Sequence, residues 1–502
     1  MSICKKAMRC VPASRSLLLG VAVISLSACQ TIRDLGPDAT IIDSKAEIPV
    51  QPDWVEPAPD ALPSTDWVAD FNSKELSLLV DTALEQNTTI GQSLAQLDGA
   101  LSRIRTSRAD LMPNLNFGST ITRSSGGNDF NTDSTSYSLG LNSGWEVDLF
   151  GRLRDQVRAA EMGAAASSAD LAAARLSIAG QVGQSWFNAI QGDLLVDLSR
   201  RDIETQERAL RLTQRRFDNG LAGSSDVRLA RSSVANAEAV LATRLQNRDV
   251  TIRGLKVLLR QYPDSVMDIP NDFPELPVLT GAANPAYLLQ KRPDILAAER
   301  RIAEAGLNVD VARKSLYPQL NLSGSLTEQA LSSANDFDIL DLFDLKGIAQ
   351  RLTAQLTAPL FQGGRIKAQI DGQEAVLRQR VESYVGTVLT AYQEVENALD
   401  AEERLAERED ALRESLYEAQ KAEERLESRY IEGLATILQL LDAQSRRLNA
   451  EGQLIGARAE RLNNRVRMNV AIGGGEYGAE VPATDIESDE GLIGKLLSSN
   501  QG

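Results

Sequence analysis

The sequence predicts a mostly helical protomer with a smaller portion of membrane β-barrel character, built as a tandem repeat. Three observations lead there. Paired motifs recur at a fixed distance, apolar residues keep helical spacing over spans longer than a compact domain, and four short stretches alternate apolar with polar residues.

The chain begins with Lys5, Lys6, Arg9 and Arg15 ahead of the apolar run LLLGVAVISL at 17–26. This is the charged and then apolar pattern of a secretory leader. Leu26 to Cys29, L-S-A-C, resembles the bacterial lipobox, so residues 1–28 are expected to be a lipoprotein signal peptide. Cys29 is then the lipidated first residue, carrying a covalent diacylglycerol and an N-acyl chain. Gln30 follows it rather than the aspartate associated with inner-membrane retention, which implies the outer membrane. Residues 29–66 hold Pro37, Pro49, Pro52, Pro57, Pro59 and Pro63 and read as an extended segment leading from the anchor.

The repeat comes next. DLMPNLN at 110–116 matches SLYPQLN at 315–321, VDLFGR at 147–152 resembles APLFQGGR at 358–365, and RFDNGLA at 216–222 matches RYIEGLA at 429–435. From Arg152 to Gly220 is 68 residues, and from Arg365 to Gly433 is again 68. Chance similarity would not preserve that distance. The two units are placed at 67–254 and 291–475, each a helix, two strands and a long helical hairpin. A linker at 255–290 joins them, and 476–502 is a polar tail.

Within each unit the helix closes near a proline, Pro113 or Pro318. The strands follow. Leu115, Phe117 and Ile121 mark the first, and Tyr137, Leu139, Leu141, Trp145, Val147 and Leu149 the apolar face of the second. Leu320, Leu322 and Leu326 mark the third, and Leu352, Ala354, Leu356 and Leu360 the fourth. After Arg365, Ile366, Ile370, Leu377, Val381, Tyr384, Val388, Val395 and Leu399 form an amphipathic, coiled-coil-like seam. Aromatics are only 5% of the chain, which suits long helices packed through small aliphatic residues.

Four strands with one apolar and one polar face suit a barrel with lipid outside and water inside. Four cannot close one, and open edges in hydrocarbon are not tolerated. The chain must therefore pool strands with copies of itself. Two copies give eight strands and a filled barrel; three give twelve and a lumen.

Composition excludes several classes. With no histidine, the commonest general base and metal ligand are missing. The formal charge of −16 disfavours nucleic acid as a partner. The three cysteines, Cys4, Cys10 and Cys29, leave no disulfide framework in the body. An enzyme reading would rest on acidic pairs such as Glu402–Glu403 and Glu423–Glu424. These lie in helical charge runs beside arginines and read as solvated faces.

The lipobox, WEVDLFGRLR at 145–154, RPDILAAERR at 292–301, PLFQGGR at 359–365 and RLESRYIEGLATILQLLDAQSRRL at 425–448 together resemble the TolC-type outer-membrane efflux proteins, most closely the NodT/OprM-like lipoprotein branch. That resemblance implies a homotrimer with a 12-stranded β-barrel and a 12-helix tunnel through the periplasm. It implies a passive channel with no cofactor. Its partners would be a periplasmic adaptor and an inner-membrane pump, in this branch most often of the resistance-nodulation-division class. Gly220, Leu221, Ala222, Gly433, Leu434 and Ala435 would form the hairpin tips that contact the adaptor. Leu438 and Asp442 match positions that form a hydrophobic and an acidic ring at the closed aperture. Three Asp442 carboxylates near one axis could hold a cation. Gln439 stands where other members carry a second acid, so a single acidic ring is expected. Asp226 and Tyr430 match a closed-state link between neighbouring helices, with Phe217 breaking the pattern in the first repeat. The alternatives are a duct for type I protein secretion or metal efflux and, outside the channel class, a structural envelope-spanning lipoprotein.

Overall fold

The structure is a computed structural model, and it describes residues 53–56, 64, 66–124, 134–279, 281, 284–333 and 349–475. Cys29, the leader 1–28 and the tail 476–502 lie outside the described residues. So do most of the 29–66 segment and the residues between the paired strands, 125–133 and 334–348.

After a short 3-10 turn at Ala69–Phe71 the order is α1 (Lys74–Gln86), α2 (Thr88–Ala109), β1 (Asn114–Ser124), β2 (Ser134–Val147), α3 (Arg152–Asp218) and α4 (Ser224–Leu258). The second unit follows as α5 (Pro285–Lys291), α6 (Pro293–Lys314), β3 (Gln319–Ser333), β4 (Ala349–Thr357), α7 (Arg365–Ile431) and α8 (Ile437–Ile472). The duplication is visible in length: α3 and α7 each have 67 residues. At about 1.5 Å per residue each runs about 100 Å.

The strands form one antiparallel sheet in the order β1-β2-β3-β4, so the β2–β3 pair joins the repeats. Residues directly opposite one another share a face. Register places Phe117 across from Leu141 and Leu141 across from Leu326, while Leu322 lies between Trp145 and Ala354. One register row away, Asn116, Asn142, Ser325 and Arg351 line up on the other face. The apolar face has nothing over it within the protomer: Phe117 is 68% exposed and Leu352 86%. Among the described residues, no helix is long and apolar enough to cross a membrane. The sheet is the element that presents apolar surface outward.

The expected single helix ahead of each pair of strands is broken in two, and the breaks have a purpose. Asn87 lies between α1 and α2. Its side-chain oxygen accepts from the Thr89 N–H at 2.8 Å, and its amide donates to the Leu258 carbonyl at the end of α4, also at 2.8 Å. One side chain thus caps two helix ends that meet. Arg292, between α5 and α6, makes the matching reach to a helix end in the second repeat, though its side chain does not cap α6. Its guanidinium donates to the Ala471 carbonyl near the end of α8 at 3.0 Å and is held by Asp294 at 2.9 Å and by Glu394. Pro293 opens α6, where its missing N–H costs nothing. The RPD motif at 292–294 is therefore a splice between stacked helices.

Two cores flank this level. Trp67, Phe71, Leu76 and Val80 pack on Val182, Trp186 and Phe187 of α3 and Val466 of α8. Leu288, Ile295 and Ile302 pack on Tyr384, Val388, Val395 and Leu399 of α7, with Met468 and Ile472 of α8. Close approach of α3 and α8 needs Gly180, where a Cβ would stand 2.7 Å from Val470 Cγ2. The strap from the N-terminal side joins the second core. Trp54 meets Tyr392 edge-on at 6.0 Å, and the Glu396 carboxylate accepts the Val55 and Glu56 N–H groups at 2.9 and 3.2 Å.

Beyond Leu399 the α7 seam changes character, which corrects the reading of the acidic pairs. Glu403 and Glu424 are exposed, but Glu402 and Glu423 are buried. Glu402 accepts from Arg461 at 3.2 Å and Arg465 at 3.0 Å, and Glu409 accepts from Arg461 at 3.0 Å. Glu423 pairs with Arg447. Apart from Leu405, the residues that α7 buries between Glu402 and Tyr430 are glutamates. The lower hairpin is held by ion pairs where the upper one is held by aliphatic packing.

Candidate functional site

Both hairpin tips are built the same way. In the first, Leu221 N–H donates to the Arg216 carbonyl at 2.7 Å and Gly220 N–H to that of Phe217 at 2.9 Å. In the second, Leu434 N–H donates to Arg429 at 2.8 Å and Gly433 N–H to Tyr430 at 3.1 Å. This double bond pattern closes the last helical turn and requires a left-handed residue just past it. Gly220 and Gly433 supply it with φ of 77° and 82°. Leu221 and Leu434 are left 67% and 65% exposed at the extreme ends, with Ala222 and Ala435 half-buried beneath them. Gly433→Val is expected to cost about 1–2 kcal/mol, the penalty of a Cβ in the left-handed region. It would be read as a lower unfolding temperature and faster proteolysis between α7 and α8. Gly433→Asn should be milder, because asparagine tolerates that conformation.

The next helices then start on caps. Thr436 Oγ1 accepts from Gln439 N–H at 3.3 Å, and Gln439 Oε1 accepts from Thr436 N–H at 3.0 Å. This reciprocal box explains Gln439: its side chain serves the backbone of the turn. In the first repeat the cap is Gly223, which has no side chain to accept with. Only the returning half exists, Gly223 N–H to Asp226 Oδ2 at 3.0 Å.

The structure does not bring Asp226 and Tyr430 together within the protomer, because each is committed elsewhere. Asp226 caps its own helix. Tyr430 is 3% exposed, and its hydroxyl shares a 2.8 Å hydrogen bond with Thr213 Oγ1 of α3. Arg216 donates to the Tyr430 carbonyl at 2.6 Å and lies 4.9 Å over its ring, a cation–π contact. Ala209, Tyr430, Ile437 and Leu440 form a small apolar knot there. Thr213 and Arg216 are tip residues that sequence reasoning missed. The available signal was the repeat itself, since Arg216 and Arg429 occupy the same place in the two motifs.

Leu438 and Asp442 lie one helical turn apart on the exposed side of α8. Leu438 is 64% exposed. The Asp442 carboxylate accepts from Arg446 Nε at 2.9 Å, one turn further on. Exposed residues then continue up α8 at Ser445, Asn449, Gln453, Glu460 and Arg467, spaced by three, four or seven. These fall on one side of the helix. The two candidate gate residues are the lower end of a single solvent stripe.

A family model described as outer membrane efflux protein matches residues 79–259 and 285–474. The chain belongs to the outer membrane efflux protein family. The gap in the match coincides with the irregular segment between α4 and α5. Similar relatives include the outer membrane protein OprJ of Pseudomonas aeruginosa, 32% identical over 83% of this chain and 87% of the relative. The pyoverdine export outer membrane protein OpmQ of the same organism is 30% identical over 90% of this chain and 96% of its own. Among solved structures, the outer-membrane channel OprN superimposes with a TM-score of 0.75 at 26% identity, covering 86% of this chain and 98% of that one. This efflux protein is thus an outer-membrane channel with the TolC-type fold, and its place is the Gram-negative outer membrane.

Proposed function

We propose that three copies of the chain assemble into a passive duct that carries small molecules such as drugs from a pump and adaptor across the periplasm and outer membrane. The observation that carries this is the sheet. Its apolar face is exposed, and its outer strands, β1 and β4, each pair on one side only among the described residues. Lipid accepts such a sheet only if the edges are closed by further strands. Three copies of four strands close a barrel of twelve with an aqueous lumen, and the polar row from Asn116 to Arg351 faces that lumen.

The 67-residue helices continue the barrel toward the cell interior. Their tips, with exposed Leu221 and Leu434, are the surface for the periplasmic adaptor, and the pump beyond it is of the resistance-nodulation-division class. Cys29 carries the lipid that tethers each copy to the membrane. The duct performs no catalysis and needs no cofactor; the pump chooses the cargo. Reconstitution into planar bilayers tests the reading. Ion conductance is expected, rising when Leu438 and Asp442 are both replaced by alanine. Absence of conductance even in that variant would favour a structural lipoprotein instead.

A further inference from the structure

The solvent stripe of α8 carries an inference about what the duct lets through, and it rests on the channel reading above. α8 is enclosed on three sides. Toward α3, Asn463 donates to Asn188 at 2.8 Å; toward α7, Asn464 donates to the Ala398 carbonyl at 2.9 Å. Behind it, Arg458 reaches Asp272 at 3.3 Å and lies 5.5 Å over the Phe273 ring. Those two residues belong to the segment between α4 and α5. On the channel reading that irregular segment lies outside the wall of helices, because inside it would fill the bore. The one open side of α8 therefore faces the bore. A polar groove of about 360 Å³ marks it, lined by Gln184, Asn188, Gln191, Arg408, Gln453 and Asn463.

Read upward, the open side holds Leu438, Asp442, Ser445, Asn449, Gln453, Glu460 and Arg467, with Arg446 at its margin. A hydroxyl and two amides fill its middle, and the charges alternate in sign. Asp442 has Arg446 at 2.9 Å, and Glu460 has Arg467 at 3.9 Å. Across the groove α7 adds a further positive charge, Arg408. The chain as a whole has a formal charge of −16, yet this face carries none of that excess. We propose that Arg446 is a specificity-determining residue of the aperture: it neutralises the Asp442 ring, so the duct admits anionic and cationic solutes alike instead of filtering for cations.

An exposed pair of this kind adds little to stability. Its effect on a pore is a different quantity. A ring of three bare carboxylates in a narrow, low-dielectric mouth concentrates cations, whereas three carboxylates each beside a guanidinium carry no net charge, and their residual dipole fields fall off more steeply with distance.

The test is reversal potential under a potassium chloride gradient in planar bilayers, with every variant made in the Leu438→Ala background so that the aperture conducts. The parent should be weakly selective. Arg446→Gln should raise the potassium-over-chloride permeability ratio roughly tenfold, the low end of what a cleft of one charge sign achieves. Arg446→Gln with Asp442→Asn should return it to the parent value, which separates charge from any change in shape. An unchanged ratio in Arg446→Gln would overturn the charge compensation while leaving the channel standing. No conductance in any variant would overturn the channel reading and this inference together.

Discussion

Arg447→Ala is expected to be the most damaging single substitution in the helical hairpins. The Arg447 guanidinium sits between two nearly enclosed carboxylates, donating to Glu423 and, at 2.8 Å, to Glu451. The side chains are only 14%, 12% and 15% exposed. Glu451 also accepts from Arg201 at 2.8 Å, but among the described residues Glu423 has no second cation, and buried Asp202 stands close enough to repel it. Removing the shared cation leaves buried charge uncompensated, which typically costs about 3–5 kcal/mol. Thermal or denaturant unfolding of the trimer in detergent would read it. Arg447→Met combined with Glu423→Leu should lose far less, because an apolar replacement of the whole pair leaves no stranded charge. Lowering the pH gives a second readout. Burial raises the Glu423 carboxyl above its usual range, with Arg447 pulling the other way, and burial likewise raises Asp202 against its bond from Gln206. A raised carboxyl holds its proton more tightly folded than unfolded, so its contribution to stability falls as pH climbs through the folded value. Without Arg447 both carboxyls rise further. The gap between variant and parent should therefore shrink as pH is lowered from neutral toward about 5. A gap that does not change with pH would mean that packing, not charge, sets the loss.

What the sequence disclosed and what it hid divide along one line. Features written in local periodicity were legible: the length of α3 and α7, the alternating strand faces, and the glycines at the tips. Each depends on residues within a few positions of one another. Pairings chosen by the register of distant helices were not. Glu423 and Arg447 meet across a hairpin, Tyr430 meets Thr213 from the other repeat, and Asn87 reaches Leu258. A glutamate on a charged helix looks the same whether it faces water or an arginine on the next helix, so Glu402 and Glu423 read as solvated until packing was known. Gln439 is the opposite case. Its role was local, since Thr436 stands three residues before it in the pattern of a capping box. Asp226 was likewise a cap in plain view, and Tyr430 belongs to a buried contact that stabilises its own protomer.

The gate makes the second large prediction. Leu438 is 64% exposed among the described residues of the protomer. On the proposed channel reading, three such side chains would meet at the narrow end of the α8 stripe. If each buries about half of its apolar surface there, it contributes about 1 kcal/mol to closure. Three together would hold the closed state by about 3 kcal/mol, roughly a hundredfold in population. Leu438→Ala should therefore raise open probability by about that factor in bilayer recordings. Asp442→Ala alone should do less, because the carboxylate already has Arg446 at 2.9 Å and needs no neighbour to satisfy it. The double variant should conduct most and make cells more sensitive to antibiotics and detergents that enter through the open duct. Phe217, 41% exposed on the first tip, is the fitting control: it is apolar and terminal but not on the α8 stripe. Phe217→Ala should leave conductance near the parent level. If it opened the channel as far as Leu438→Ala does, the constriction would lie at the outer tips of the hairpins rather than on the inner face of α8.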